Sequence, residues 1–279
     1  MESRRQFLRT SATAMAASKG VLGANERIQL GVIGTGIRGS DVMSRFIKNE
    51  DCVVVALCDV AKNKLASAAA TIPGNVATYG DYRRVLDRKD VDAVLIATPD
   101  HWHSQMTVDA CGAGKDIYIE KPLSNTIPAA QRMLAAVLKY QRVAQVGMQQ
   151  RSWPHFQECA RMIRDGVLGP VTHAVIQFGG GYYASTLVPS SSPPADLDWE
   201  SWQGSAPRHA YSPTRQTNWR AFYDYGGGLI TDWGAHLIDT ARQCLSTTNE
   251  APLLTSASAQ YLNVENPDHE QVPNDFVCS

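Results

Sequence analysis

The chain has 279 residues, 44% of them hydrophobic and 19% charged, which suits a globular protein large enough for two domains with a core each. Its 26 basic and 27 acidic residues leave a formal net charge of −1 with no basic face, which argues against a nucleic-acid partner. The six cysteines, Cys52, Cys58, Cys111, Cys159, Cys244 and Cys278, include no Cys-x-x-Cys pair, which argues against a disulfide framework and against a cysteine metal site.

Ser3-Arg4-Arg5-Gln6-Phe7-Leu8-Arg9 is close to the twin-arginine export pattern, Ser-Arg-Arg-x-Phe-Leu-Lys. The mild Ala-rich stretch that follows is too short and too weakly apolar to span a bilayer. Residues 1–24 therefore read as a targeting segment, outside fold reasoning. The expectation is export through the twin-arginine machinery and a periplasmic location.

From Arg27 to about Gly147 apolar runs alternate with helical patterns. The predicted strands are Ile28–Ile33, Cys52–Cys58, Val91–Ala97, Asp116–Ile119 and Val143–Val146, with helices near 39–49, 61–70, 81–88, 103–113 and 125–140. Such alternation implies an α/β fold with a doubly wound parallel sheet. The strands lack clean alternation, as expected when both faces are buried. Residues 25–147 form this first domain, and residues 148–279 a second one.

In the second domain a helix near 154–165 precedes a predicted strand, Val171–Phe178. A long irregular segment, 179–227, is rich in Gly, Ser, Pro and aromatic residues; a segment of that length is usually functional or disordered, and nine aromatics in residues 182–225 argue against disorder. A helix near 228–245, a strand near 254–264 and the start of another at Asn274 follow. Two or three strands are thin cover for that helix, so this domain reads as incomplete.

Four motifs carry chemistry. Gly34-Thr-Gly36-Ile37-Arg38-Gly39 sits between a strand and a helix, where a dinucleotide pyrophosphate would rest on the helix N-terminus. Asp59, twenty residues past Gly39, is placed to accept hydrogen bonds from ribose hydroxyls and to repel a 2′-phosphate, so NAD is favoured over NADP. Thr98-Pro99-Asp100-His101-Trp102-His103 ends the strand that follows. Its two histidines invite a zinc reading, but no third ligand has suitable spacing. A helix start with one histidine, His103, beside the nicotinamide fits better.

Glu120-Lys121-Pro122 ends the next strand and points a cation or proton-transfer group toward the ligand crevice. A Lys121–Pro122 bond in a tight turn is a candidate for cis geometry. Asp232 and His236 share one helix face, where the carboxylate can orient the imidazole for acid–base work or form a plain surface pair. Asp239 reads as a helix-surface or capping residue. Gln149 and Arg151 could reach the cleft or serve as a hinge. Tyr182, Trp219 and Tyr225 carry rings that suit sugar faces, with loop packing as the alternative.

Together, Gly34-x-Gly36-x-x-Gly39, Thr98-Pro99-x-x-x-His103, Glu120-Lys121-Pro122 and Asp232-x-x-x-His236 resemble the Gfo/Idh/MocA family, named for glucose–fructose oxidoreductase and inositol dehydrogenase. The resemblance implies a Rossmann domain followed by an α/β domain whose mostly antiparallel sheet often forms oligomer contacts, hence a homo-oligomer. It implies an NAD(P)-dependent oxidoreductase acting on a carbinol carbon of a sugar or cyclitol. It casts Lys121 as the group on the reacting hydroxyl, His236 as the acid–base residue and Asp232 as the carboxylate that positions substrate. Some exported members hold their dinucleotide tightly. Members usually run longer than this chain. A related group performs redox-neutral glycoside cleavage and follows its key histidine with Gly-Leu-Gly-Pro, where this chain has His236-Leu-Ile-Asp. A non-catalytic sugar-binding protein is the third reading.

Overall fold

The computed structural model describes residues 27–177, 188–247, 253–260, 272 and 275–278. The twin-arginine-like segment and Tyr182 lie outside them.

Six parallel strands form the first sheet: β1 Ile28–Ile33, β2 Cys52–Cys58, β3 Ala77–Tyr79, β4 Ala93–Ile96, β5 Asp116–Glu120 and β6 Ala144–Gly147, in the order β3-β2-β1-β4-β5-β6. Between them run α1 Ile37–Phe46, α2 Lys62–Ala69, α3 Arg83–Leu86, α4 Asp100–Gly112 and α5 Ile127–Tyr140. Successive β1 side chains serve opposite faces. Leu30 and Val32 pack with Val42, Met43, Leu57 and Leu95, whereas Ile33 packs with Ile96, Met106, Ile117, Ile119 and Met133. Both faces of the sheet are therefore buried, as its Val- and Ile-rich strands require.

β1 and β2 occupy their predicted ranges. β3 was not predicted; an edge strand of three residues is too short to show a period. α4 starts at Asp100, three residues before its predicted start, because Pro99 stands at the N-cap and opens the helix. α5 is capped by the Thr126 hydroxyl, which accepts from the Ala129 N–H.

The second region contains α6 Pro154–Arg164, α7 Trp199–Gln203, α8 Pro213–Thr217, α9 Gly228–Cys244, and the antiparallel pair β7 Ala257–Gln260 and β8 Asp275–Cys278. Short 3₁₀ turns occupy Gln149–Ser152 and Trp219–Ala221. The strand predicted at Val171–Phe178 is absent from residues 171–177, which are irregular and have no partner strand among the described residues. A strand needs a ladder neighbour as well as an apolar sequence. No helix among the described residues is long and apolar enough to cross a membrane.

The regions on either side of residue 147 touch in space. Leu197 bridges to Ala61, the Lys62 N–H donates to Asp196 O at 2.7 Å, and the Asp198 N–H donates to Val60 O at 3.0 Å. Trp199, Trp202, Tyr211, Phe222 and Tyr225 form an aromatic core against Ala61. The rings of Trp199 and Trp202 stack at 4.7 Å. Trp202 O also receives the Trp102 indole N–H at 2.9 Å, so the segment beyond residue 188 is fastened across the start of α4.

Candidate functional site

Strand order reverses between β1 and β4, and a doubly wound sheet binds its ligands outside the carboxyl ends of the strands at that point. The glycine loop opens there. Gly34 has φ +89°, in the left-handed region, and an added Cβ would meet the Ala97 carbonyl oxygen at 2.6 Å. A Cβ on Gly39 would fall 1.9 Å from the Gly34 oxygen, so α1 packs directly on the loop. A Cβ on Gly36 would meet nothing within 4 Å, and the space above it is open to a ligand. Ile37, beside it, is 96% exposed.

Asp59 follows β2. Its carboxylate accepts from the Thr35 N–H at 2.7 Å, the Thr35 hydroxyl at 3.1 Å and the Ala61 N–H at 2.9 Å, so it shapes the glycine loop from below. Arg38 donates to Asp41 and to Glu120, each at 2.8 Å, which ties α1 to the end of β5. Glu120 is buried, and its Oε2 has no hydrogen-bond partner among the described residues. Gly147 makes room for it, since a Cβ there would lie 2.7 Å from Glu120 Oε1.

Thr98 and Pro99 form the turn between β4 and α4. His103 corrects the expectation of a nicotinamide contact: it is buried, with Nδ1 2.7 Å from Pro122 O and Nε2 3.0 Å from Thr98 O. It fastens the turn after β4 to the turn after β5. The Lys121–Pro122 bond in that second turn is cis.

Lys121, Asp232 and His236 come together. The Lys121 ammonium pairs with the Asp232 carboxylate and also lies 3.3 Å from the Asp232 carbonyl. Both side chains are only 12% exposed. His236 is buried one turn further along α9, and its Nδ1 has no hydrogen-bond partner among the described residues. Burial, then the Lys121 charge, lower its pKa, and Asp232 opposes them.

Two further charged groups were not singled out in the sequence. Arg220 donates through Nε to Asp232 Oδ1 at 3.2 Å, with its guanidinium 4.2 Å over the Trp219 ring. Asp232 thus joins two cations, beyond the single imidazole expected. Asp100, at the first position of α4, is buried beside Lys121, Arg220 and Asp232, and burial raises its carboxyl to about 8. Arg220 carried no signal beyond its place after Trp219, and Asp100 stood unremarked ahead of two histidines.

The substrate assignments divide. Gln149 stands in the turn after β6, with a buried Oε1 that has no hydrogen-bond partner among the described residues. Arg151 is committed elsewhere: its guanidinium makes two bonds to Asp239, at 2.6 and 2.5 Å, bracing the 3₁₀ turn against α9. Asp239 is thereby a brace as well, beyond the surface residue expected. Tyr225 is fully buried among Trp202, His101 and Phe222 and offers no face to a sugar. Trp219 supports Arg220 with one face. The aromatic segment thus serves mainly to dock the two regions, because burying rings gains more than exposing them. Arg151→Ala is therefore expected to lower stability by ~1 kcal/mol, since the pair is half-exposed, with the KM for substrate unchanged. Thermal melts and steady-state kinetics check this.

Comparison with known proteins agrees with this arrangement. Residues 28–148 match the Gfo/Idh/MocA model described as an oxidoreductase family, NAD-binding Rossmann fold. Residues 156–268 match the C-terminal alpha/beta domain model of the same oxidoreductase family. Inositol 2-dehydrogenase of Salmonella typhimurium is 29% identical over 170 residues, covering 60% of this chain and 50% of that protein. A glycosyl hydrolase family 109 protein of Saccharopolyspora erythraea is 29% identical over 219 residues, covering 66% and 46%. The chain spans about half the length of these curated relatives. Among solved structures, a WlbA dehydrogenase from Bordetella pertussis, in complex with NADH and UDP-GlcNAcA, superposes with TM-score 0.65 at 17% identity, covering 90% of this chain and 66% of that one. A putative myo-inositol dehydrogenase from Sinorhizobium meliloti gives TM-score 0.60 at 20% identity, covering 90% and 64%. With a glycine loop at the switch point and a lysine–aspartate pair joining both matched domains, the chain belongs to the Gfo/Idh/MocA oxidoreductase family.

Proposed function

We propose that this protein oxidises or reduces a carbinol carbon of a cyclitol, sugar or sugar derivative with NAD, after export by the twin-arginine route. The observation that carries the reading is the Lys121–Asp232 pair, which sets an ammonium group at the carboxyl end of β5 beside the dinucleotide loop. The relatives named inositol 2-dehydrogenase support a cyclitol as first choice.

The residues fit the dinucleotide. Gly36 leaves the space over the loop open, and Asp59 stands at the end of β2 where ribose hydroxyls would approach. Glu120 Oε2, Gln149 Oε1 and His236 Nδ1 are buried polar atoms with no hydrogen-bond partner among the described residues, and such atoms ordinarily find a ligand or water. When bound, the nicotinamide supplies the two-electron acceptor.

The chain handles the hydroxyl and its proton. Lys121, aimed by Asp232, donates a hydrogen bond to the reacting oxygen and stabilises the negative charge that builds there. His236 takes the proton. Its lowered pKa keeps it neutral at neutral pH, and Nδ1 is an acceptor in the tautomer with hydrogen on Nε2. Asp232 Oδ1 accepts from both Lys121 and Arg220 and so limits their reorganisation during the reaction.

The acid limb of kcat/KM for oxidation is therefore expected below pH 6.5, histidine's ordinary value, because activity is lost only when His236 protonates. A midpoint at or above that value would remove His236 as the base. The reading itself is tested by releasing nucleotide from purified protein and then assaying a panel of cyclitols and sugars by NADH absorbance. No NADH with any of them, despite bound nucleotide, would sink it. The relative named for glycosyl hydrolase family 109 favours a second reading, redox-neutral glycoside cleavage. Release of an aryl alcohol from an aryl glycoside without net NADH would establish that one.

A further inference from the structure

The site holds a fourth ionisable group that the chemistry above leaves unused. Asp100 opens α4 directly beyond the turn after β4, at the switch point of the sheet. It is 3% exposed, and the influences on its carboxyl group are burial and three neighbouring charges, with no hydrogen bond among them. The first N–H groups of a helix normally favour an ionised carboxylate. Here they are turned elsewhere: the His101 N–H donates to Tyr225 O at 3.2 Å and the Trp102 N–H to Pro99 O at 3.0 Å. Lys121 from the turn after β5 and Arg220 from the 3₁₀ turn favour ionisation, and Asp232 from α9 opposes it. An ionised carboxylate buried without hydrogen bonds is far costlier than the neutral acid. Burial accordingly outweighs both cations and raises the group to about 8.

We propose that Asp100 is a positioning residue for charge: held as a neutral carboxylic acid, it leaves Lys121 and Arg220 opposed, among the described charges acting on it, by Asp232, so these four groups together keep one unit of positive charge for the alkoxide that forms as substrate gives up its proton. The role in turnover rests on the oxidoreductase reading; the charge state does not. His236, neutral and buried, adds no charge. Once Asp100 ionises, it cancels the excess charge, and the pull on the alkoxide weakens.

The folded value of about 8 lies above the ordinary 3.8. Stability from the neutral acid is therefore fully present below 3.8 and is lost as pH rises through about 8. Asp100→Asn keeps the shape without the titration. Melting temperatures of the nucleotide-free wild type and variant are compared from mildly acid to alkaline pH. The wild type is expected to lose several degrees relative to the variant across that interval, and superimposable curves overturn the proposal. If the asparagine variant does not fold, Asp100→Ser serves in the same comparison.

The second arm follows kcat/KM with NAD and myo-inositol. The wild type is expected to fall on the alkaline side with a midpoint near 8. That fall is absent in the variant, whatever the height of its plateau, and a fall retained in Asp100→Asn overturns the role in turnover. If neither protein turns over any polyol, the oxidoreductase reading fails, and the melting curves still decide the charge state.

Discussion

Lys121→Met is expected to lower kcat/KM for polyol oxidation by roughly a thousandfold, at the upper end of the ~10²–10³ lost with one donor to a developing oxyanion, while NAD binds with near wild-type affinity. Methionine keeps the apolar stem and removes only the ammonium group. Loss of one partner from a buried ion pair commonly costs ~3–5 kcal/mol, because the other charge is stranded. Asp232 is not stranded here, since Arg220 stays 3.2 Å from the same oxygen. The variant should therefore fold, and the loss should fall on turnover. Calorimetric titration with NAD separates the two quantities. Turnover within a factor of ten of wild type would remove Lys121 from the chemistry.

Gly36→Ala and Gly39→Ala are expected to part in the opposite way from their equal chemistry. The new methyl at 36 meets no protein atom, and Gly36 already has φ −64°, which alanine adopts freely. Its melting temperature should hold, while NAD affinity falls by ~100-fold as the methyl enters the pyrophosphate space, equivalent to about 2.8 kcal/mol. The methyl at 39 collides with the Gly34 carbonyl at 1.9 Å, and backbone cannot yield as a flexible side chain would. Overpacking of this kind costs ~1–3 kcal/mol or more. Gly39→Ala should lose stability and affinity together. Thermal melts beside NAD titrations check both, and a destabilised Gly36→Ala would contradict the division of roles among the glycines.

The Rossmann half was legible because its signals are local. Apolar runs fixed the bounds of β1 and β2, and a helix must follow a loop whose third glycine lets it pack closely. The glycine–aspartate spacing placed Asp59 at the end of β2, where the structure has it shaping the loop. Lys121, Asp232 and His236 were legible through their motifs, although neither neighbour of Asp232 could be read from helix spacing. Spacing along α9 suggested an Asp232–His236 partnership. The carboxylate instead pairs with a lysine 111 residues away and an arginine 12 away.

Arg151 and Tyr225 show why two of the substrate assignments gave way to the alternatives of a hinge and of loop packing. A cation after the last Rossmann strand and a tyrosine in an aromatic loop each suit a substrate. Arg151 met Asp239, 88 residues on, and Tyr225 was drawn into the core that docks the two regions. The His103 ring likewise joins two turns whose approach depends on the packing of β4 beside β5. Sequence alone determined a doubly wound domain with a dinucleotide loop and a lysine at a strand end, because strand periodicity, glycine sterics and turn chemistry act between near neighbours. Tertiary structure alone decided which charges meet at that lysine and which histidine and carboxyl are buried beside it, because ion pairing and burial depend on distance in space.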